Sequence, residues 1–236
     1  MYKVNKLEFL RENSYWGRGI IIGKNSHSAV VAYFIMGRSE NSRNRYFFAE
    51  GDNIAIAPFE NKKDFDPSLV VYYPVKKYKN SLIVTNGDQT DTIYDFLSED
   101  KSFEAALRTR KFEPDVPNYT PRISGILYFS DLDFKYKMSI LKNRDSEGST
   151  CNRQFFEYSA KEGEGHFIHT YMENDNPLPT FAGEPKTVEI PDDFDEFGNT
   201  IWNNLDEDNK ISLMIKFINL DTKDTKTKIY NKRKGD

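Results

Sequence analysis

The sequence predicts an α+β domain dominated by antiparallel sheet, and three observations carry that expectation. Short β-rich runs recur along the first half, separated by polar turns. Helical patterning is confined to a few brief segments. Aromatic residues reach 14%, enough large side chains to fill a sizeable core without disulfides or metal.

The strands come first. Residues 19–23 and 29–36 are apolar, β-branched runs parted by the polar turn 24–28. Residues 46–49 and 53–57 flank Glu50-Gly51-Asp52, and 69–73 and 81–85 follow. Ile93, Phe96 and Leu97 share one face of a helix over 92–98. Ser102 is placed to cap a second helix over 103–108. Pro114, Pro117 and Pro121 forbid its continuation. Strands resume at 123–129, 135–141, 155–159 and 166–171. The stretch 177–185 reads as a loop, and 192–205 as a helix with Phe194, Phe197, Ile201 and Trp202 inward. Residues 211–220 and 226–230 close the chain as a hairpin. With no repeat or low-complexity linker, 1–236 reads as a single domain.

Composition narrows the function. The net charge of −4 disfavours non-specific nucleic-acid binding. Cys151 is the sole cysteine, so no intramolecular disulfide or four-cysteine zinc site can form. The apolar run 29–36 is too short to cross a bilayer, which needs about 20 residues, and residues 1–6 carry no signal-peptide core. The expectation is a soluble cytoplasmic protein with no membrane partner, whose aromatic content leaves homo-oligomerisation open.

Three patches could carry chemistry. Gly37 to Arg45 sets Arg38, Arg43 and Arg45 among Ser39, Asn41 and Asn44, between two apolar strands. Guanidinium forks suit a phosphate dianion, and Arg18 could converge from the neighbouring strand; a solvated hairpin turn explains the same residues equally well. Asn86-Gly87-Asp88 ends a strand before a helix, and could present Asn86 and Asp88 to a ribose or an amide or simply cap the helix. Glu113 and Arg122 bracket a Pro-stiffened segment, as a site or as a connector with a surface ion pair. His166 and His169, three apart on a strand, face opposite sides and make a poor metal pair; Cys151 reads as a structural thiol.

In order, these patches resemble the archaeal-type IMP cyclohydrolases. The resemblance rests on Gly17-Arg18 before an apolar strand, Arg38-Ser39 with Asn44-Arg45, and residues 86–93 (Asn-Gly-Asp-Gln-Thr-Asp-Thr-Ile). It continues through Glu113 with Thr120-Pro121-Arg122-Ile123, and Thr170-Tyr171. Ser42-Arg43 replaces the Phe-Pro of archaeal members, and Gln89 stands where they often carry His. The resemblance implies a four-layer α-β-β-α fold similar to the N-terminal-nucleophile hydrolases, without their nucleophile. It implies closure of a purine ring on a formamido-imidazole carboxamide ribonucleotide, with no metal or cofactor. Arg18, Arg38, Ser39, Asn44, Arg45, Asp88 and Arg122 would then bind substrate, while Glu113, Tyr72 and Asn86 handle protons and charge. Tyr73, next to Tyr72, leaves that register open by one. A nucleotide-binding sensor or an amidohydrolase on another amide are the alternatives.

Overall fold

The computed structural model describes residues 3–60, 72–129 and 134–233. Two antiparallel sheets face one another. A 3-10 turn, Leu7–Glu12, precedes β1 (Arg18–Lys24) and β2 (Ser28–Met36), which form the first hairpin. The chain then crosses through the short helix α1 (Glu40–Arg43) into the second sheet. There it lays down β3 (Tyr46–Glu50), β4 (Asn53–Ala57), β5 (Val75–Tyr78) and β6 (Ser81–Thr85). Helices α2 (Gln89–Ser98) and α3 (Phe103–Arg108) follow, then β7 (Arg122–Phe129), β8 (Phe134–Asn143) and β9 (Cys151–Ser159). The chain returns to the first sheet with β10 (Glu164–His169) and β11 (Lys186–Glu189). It ends in α4 (Phe194–Asn204), β12 (Lys210–Asn219) and β13 (Thr225–Asn231). The strand orders are β11-β10-β1-β2-β12-β13 and β3-β4-β5-β6-β7-β8-β9.

Strand alternation sends successive side chains to opposite faces, and that partitions the core. Ile20, Ile22, Tyr33, Val84, Ile123 and Met138 meet between the sheets. Ile21, Phe34 and Leu213 face the other way, onto Phe194, Phe197 and Ile201 of α4. Ile83, Ile126 and Leu141 pack on Ile93, Phe103 and Leu107 of α2 and α3. Helix, sheet, sheet and helix are therefore stacked in that order. The sheets approach closely where Gly125 faces Ile22, since a Cβ there would sit 2.4 Å from Ile22 Cδ1.

The helices form where capping and amphipathicity coincide. Asp193 accepts a hydrogen bond from Glu196 N at 2.7 Å, and Ser102 accepts one from Ala105 N at 3.1 Å. Phe194, Phe197 and Ile201 are buried as expected, whereas Trp202 is half-buried and stacks on Tyr230. Helix α2 begins three residues earlier than the apolar spacing indicates, because the Asn86-Gly87-Asp88 turn feeds straight into it. The strand expected over 69–73 falls mostly outside the described residues. Tyr72 and Tyr73 belong to no strand, although the Tyr72 carbonyl accepts from Ile56 N at 3.2 Å. No described helix is long and apolar enough to cross a membrane.

Candidate active site

A cleft of about 490 Å³ opens at one end of the two sheets. The end of β2, the α1 segment, the β6–α2 turn and the approach to β7 converge there. Arg18 is positioned by Gly17, which adopts φ +72° and lies so close to Thr170 and Tyr171 that a Cβ would collide with both. The Arg18 backbone N–H donates to Thr170 Oγ1 at 3.1 Å, and its Nη1 donates to the Met36 carbonyl at 2.6 Å.

Arg45 is buried beside it, with Nε donating to the Ser42 carbonyl at 2.7 Å. Burial first, and the like charge of Arg18 second, lower the Arg45 pKa to about 10, so it still carries its proton at neutral pH. Burial also opposes the charge on Arg18, but Tyr15, Tyr33, Tyr72 and Glu113 outweigh it and hold its pKa above the ordinary value. Arg38 is exposed at the rim. Its guanidinium lies 5.0 Å from the centre of the Tyr15 ring and donates to Asn174 Oδ1 at 2.9 Å. Ser39 caps α1, accepting from Ser42 N at 3.2 Å, and lines the cleft.

Glu113 lines the opposite wall, and its carboxylate makes no hydrogen bond among the described residues. Burial raises its pKa to about 7, against the pull of Arg122, Arg18 and Arg45. It is thus a carboxyl that can both take and give a proton at neutral pH. Close to the charges of Arg18, Arg45 and Glu113 lie two buried phenols, Tyr33 and Tyr72, with hydroxyls 3.0 Å apart. Burial raises both, so both stay protonated. Tyr72 turns inward and is buried, while Tyr73 donates outward to Glu50 at 2.5 Å.

Arg122, Asp88 and Asn44 are not cleft-lining groups. Arg122 is buried behind the wall, its Nη1 donating to Gln89 Oε1 at 2.7 Å and pairing with Asp88 Oδ1 at 2.6 Å. Asp88 is shared with Arg110, and although burial opposes its charge the two guanidiniums hold its pKa below the usual range. Its carboxylate is therefore engaged by two protein cations. The positive charge of Arg122 reaches the cleft through Glu113, whose ionised form it favours. Asn44 is a clamp: Nδ2 donates to the Glu60 carbonyl at 2.8 Å, and Oδ1 accepts from Glu60 N at 2.9 Å. Asn86 does line the cleft, but Oδ1 accepts from Ile123 N and Gln89 Nε2 while Nδ2 donates to the Pro121 carbonyl, leaving one Nδ2 hydrogen.

The cleft also holds groups for which sequence reasoning assigned no role. Thr120 Oγ1 is 2.5 Å from Asp115 Oδ2 and 2.7 Å from the Tyr171 hydroxyl, and Tyr15 stacks on Tyr171 at 5.9 Å. Thr120 and Tyr171 stood inside the family-like motifs; Tyr15 and Asp115 carried no signal beyond lying near them. His166 and His169 serve separate surroundings, the first stacked on Tyr158, the second between Trp16 and Phe181.

The IMP cyclohydrolase-like protein family profile matches residues 15–224, which span all of these groups. The chain belongs to that family. Its relatives include the IMP cyclohydrolase of Methanococcus aeolicus, 30% identical over 142 residues, or 55% of this chain and 70% of the relative. The IMP cyclohydrolase of Methanococcus maripaludis is 31% identical over 137 residues, covering 52% and 67%. The arginine-rich crossing, the Asn86 turn, the Glu113 wall and β12 lie inside the matched segment, and β13 lies beyond it.

Proposed function

We propose that this protein is an enzyme that closes the purine ring of a formamido-imidazole carboxamide ribonucleotide, giving IMP and water, within cytoplasmic purine synthesis. The observation that carries the reading is Glu113, a carboxyl poised near neutrality and facing a cleft walled by arginines. The names of the relatives support the substrate class. The layer order is compatible with likeness to the N-terminal-nucleophile hydrolases, and no step below requires a nucleophile on the protein.

The carboxamide nitrogen of the substrate attacks its own formamido carbon. One C–N bond forms, and the attacking nitrogen's proton passes through Glu113 to the carbonyl oxygen, which becomes a hydroxyl. The formamido nitrogen then gives its own proton to Glu113, the C–O bond breaks, the hydroxyl leaves as water with that proton, and the ring gains its C=N bond. Such a reaction needs orientation above all, worth about 7–11 kcal/mol when the reacting atoms are held in line. Arg38, Ser39 and Arg45 hold the phosphate, and Arg18 turns the ring toward Glu113. The remaining Nδ2 hydrogen of Asn86 donates to the developing oxyanion, and Tyr72, held by Tyr33 just behind the cleft lining, relays protons beside Glu113.

The test is purified protein with the formamido ribonucleotide, following IMP by absorbance against an enzyme-free control. Turnover that falls about 10²–10⁴-fold in Glu113→Gln and Tyr72→Phe supports the reading. Wild-type turnover in both variants refutes the assigned roles, and IMP binding without turnover reassigns the protein as a nucleotide sensor.

A further inference from the structure

A second cavity, of about 190 Å³, opens at the other end of the two sheets. On β12, Met214 and Ile218 point between the sheets, and alternation sends Lys216 the same way. Lys216 is 3% exposed, so an ammonium group has been placed at the edge of an apolar slab. Its Nζ donates to the Asp52 carbonyl at 2.9 Å, its one hydrogen bond among the described residues. Burial lowers the Lys216 pKa; the Asp52 carboxylate opposes this but is paired with Lys77 at 2.8 Å, and Lys77 adds to the lowering. An ammonium has three donors, so two of those on Lys216 are available to the cavity it lines.

The surroundings of Lys216 add charge of the same sign. Lys77, Lys79 and Lys223 stand at the rim, all exposed, and Lys223 Nζ donates to the Leu220 carbonyl at 2.5 Å. Among the described residues lining the cavity, Asp52 is the sole carboxylate against four ammonium groups. The floor is apolar, formed by Leu82, Phe129 and Ile218. Lys216 pairs with Val31 on β2, whereas Arg18 of the arginine cleft pairs with Ile35, about 13 Å further along that strand. The two cavities are therefore separate.

We propose that this cavity is a second ligand site, which takes a small phosphate monoester: the phosphate on Lys216 and the lysine rim, a compact apolar body on Leu82, Phe129 and Ile218. The charge excess selects a dianion over a monoanion, and the floor selects an organic ester over inorganic phosphate. The inference does not depend on the reaction assigned to the arginine cleft.

Calorimetric titration of the whole protein with phenyl phosphate, inorganic phosphate and benzoate tests it, in wild type and Lys216→Met. Phenyl phosphate is expected to bind tightest. Lys216→Met is expected to weaken one phenyl phosphate site at least tenfold while leaving turnover or IMP binding at the arginine cleft unchanged. The double variant Lys79→Gln/Lys223→Gln alters only exposed rim residues, so it gives the same reading should Lys216→Met not fold. Identical phenyl phosphate isotherms in wild type and the variants overturn the proposal. So does benzoate binding as tightly as phenyl phosphate, or inorganic phosphate binding more tightly.

Discussion

Glu113→Gln separates the chemistry of the carboxyl from its cost to the fold. In the native cleft Glu113 titrates near 7, against 4.5 for an unhindered glutamate. Between those values the native chain keeps a proton that the unfolded chain has lost, so stability falls as pH rises through this window. At about 1.36 kcal/mol per unit, the displacement sets a ceiling near 3 kcal/mol on the cost of ionising the side chain. The cleft opens to water, which screens the charge and reduces the figure to about 1–2 kcal/mol. Glutamine cannot ionise and escapes that cost. Glu113→Gln is therefore expected to melt higher than wild type at about pH 8, by about 2–8 °C for a chain of this size. At about pH 5 the difference should nearly vanish. Thermal denaturation followed by circular dichroism at both pH values measures it. A shift of the same size at both, or a wild type that melts higher at pH 8, would refute the account of Glu113 as a carboxyl held near neutrality by its surroundings.

Other substitutions probe the supports of the site. Gly87→Ala would set a methyl group 2.5 Å from Arg122 Nη1 and 2.6 Å from Gln89 Oε1, so it should lower turnover more than it lowers melting temperature. Asn44→Ala removes both hydrogen bonds to the Glu60 backbone and should cost about 1–3 kcal/mol in urea unfolding, with KM rising as the Arg45 segment loosens. Tyr33→Phe leaves Tyr72 without its hydroxyl partner at 3.0 Å; a fall in kcat at unchanged KM is expected from steady-state kinetics. The pH profile of kcat/KM should rise through about 7 where Glu113 acts as base, and Glu113→Gln should flatten that limb.

Much of this architecture was legible in the sequence, because the strands facing the inter-sheet core are continuous apolar runs. Residues 29–36 read as a strand since both faces are covered, one by the second sheet and one by α4. Strand β5, Val-Lys-Lys-Tyr, was not legible: its lysines point to ion pairs with Asp91 and Asp52, and a strand half made of lysine carries no apolar alternation. The arginine segment was recognisable by residue type and its role by family resemblance. The side chains of Asn44 and Asp88, expected on substrate, are engaged with protein groups in the structure, for one physical reason. Polar side chains beside a site are as often used to hold its loops as to touch its ligand, and only geometry tells Asn44 clamping Glu60 from Ser39 lining the cleft.

The carboxyl of Glu113, without a hydrogen bond among the described residues and near three guanidiniums, has a consequence for binding as well as for turnover. A phosphate-bearing ligand entering the cleft brings negative charge close to Glu113 and offsets the arginines that favour its ionised form. On the proposed function, nucleotide binding near neutral pH is expected to be accompanied by uptake of a fraction of a proton. The heat of binding will change with the ionisation enthalpy of the buffer, and affinity will strengthen as pH falls toward 7. Ligand and proton occupancy in this cleft are one coupled equilibrium.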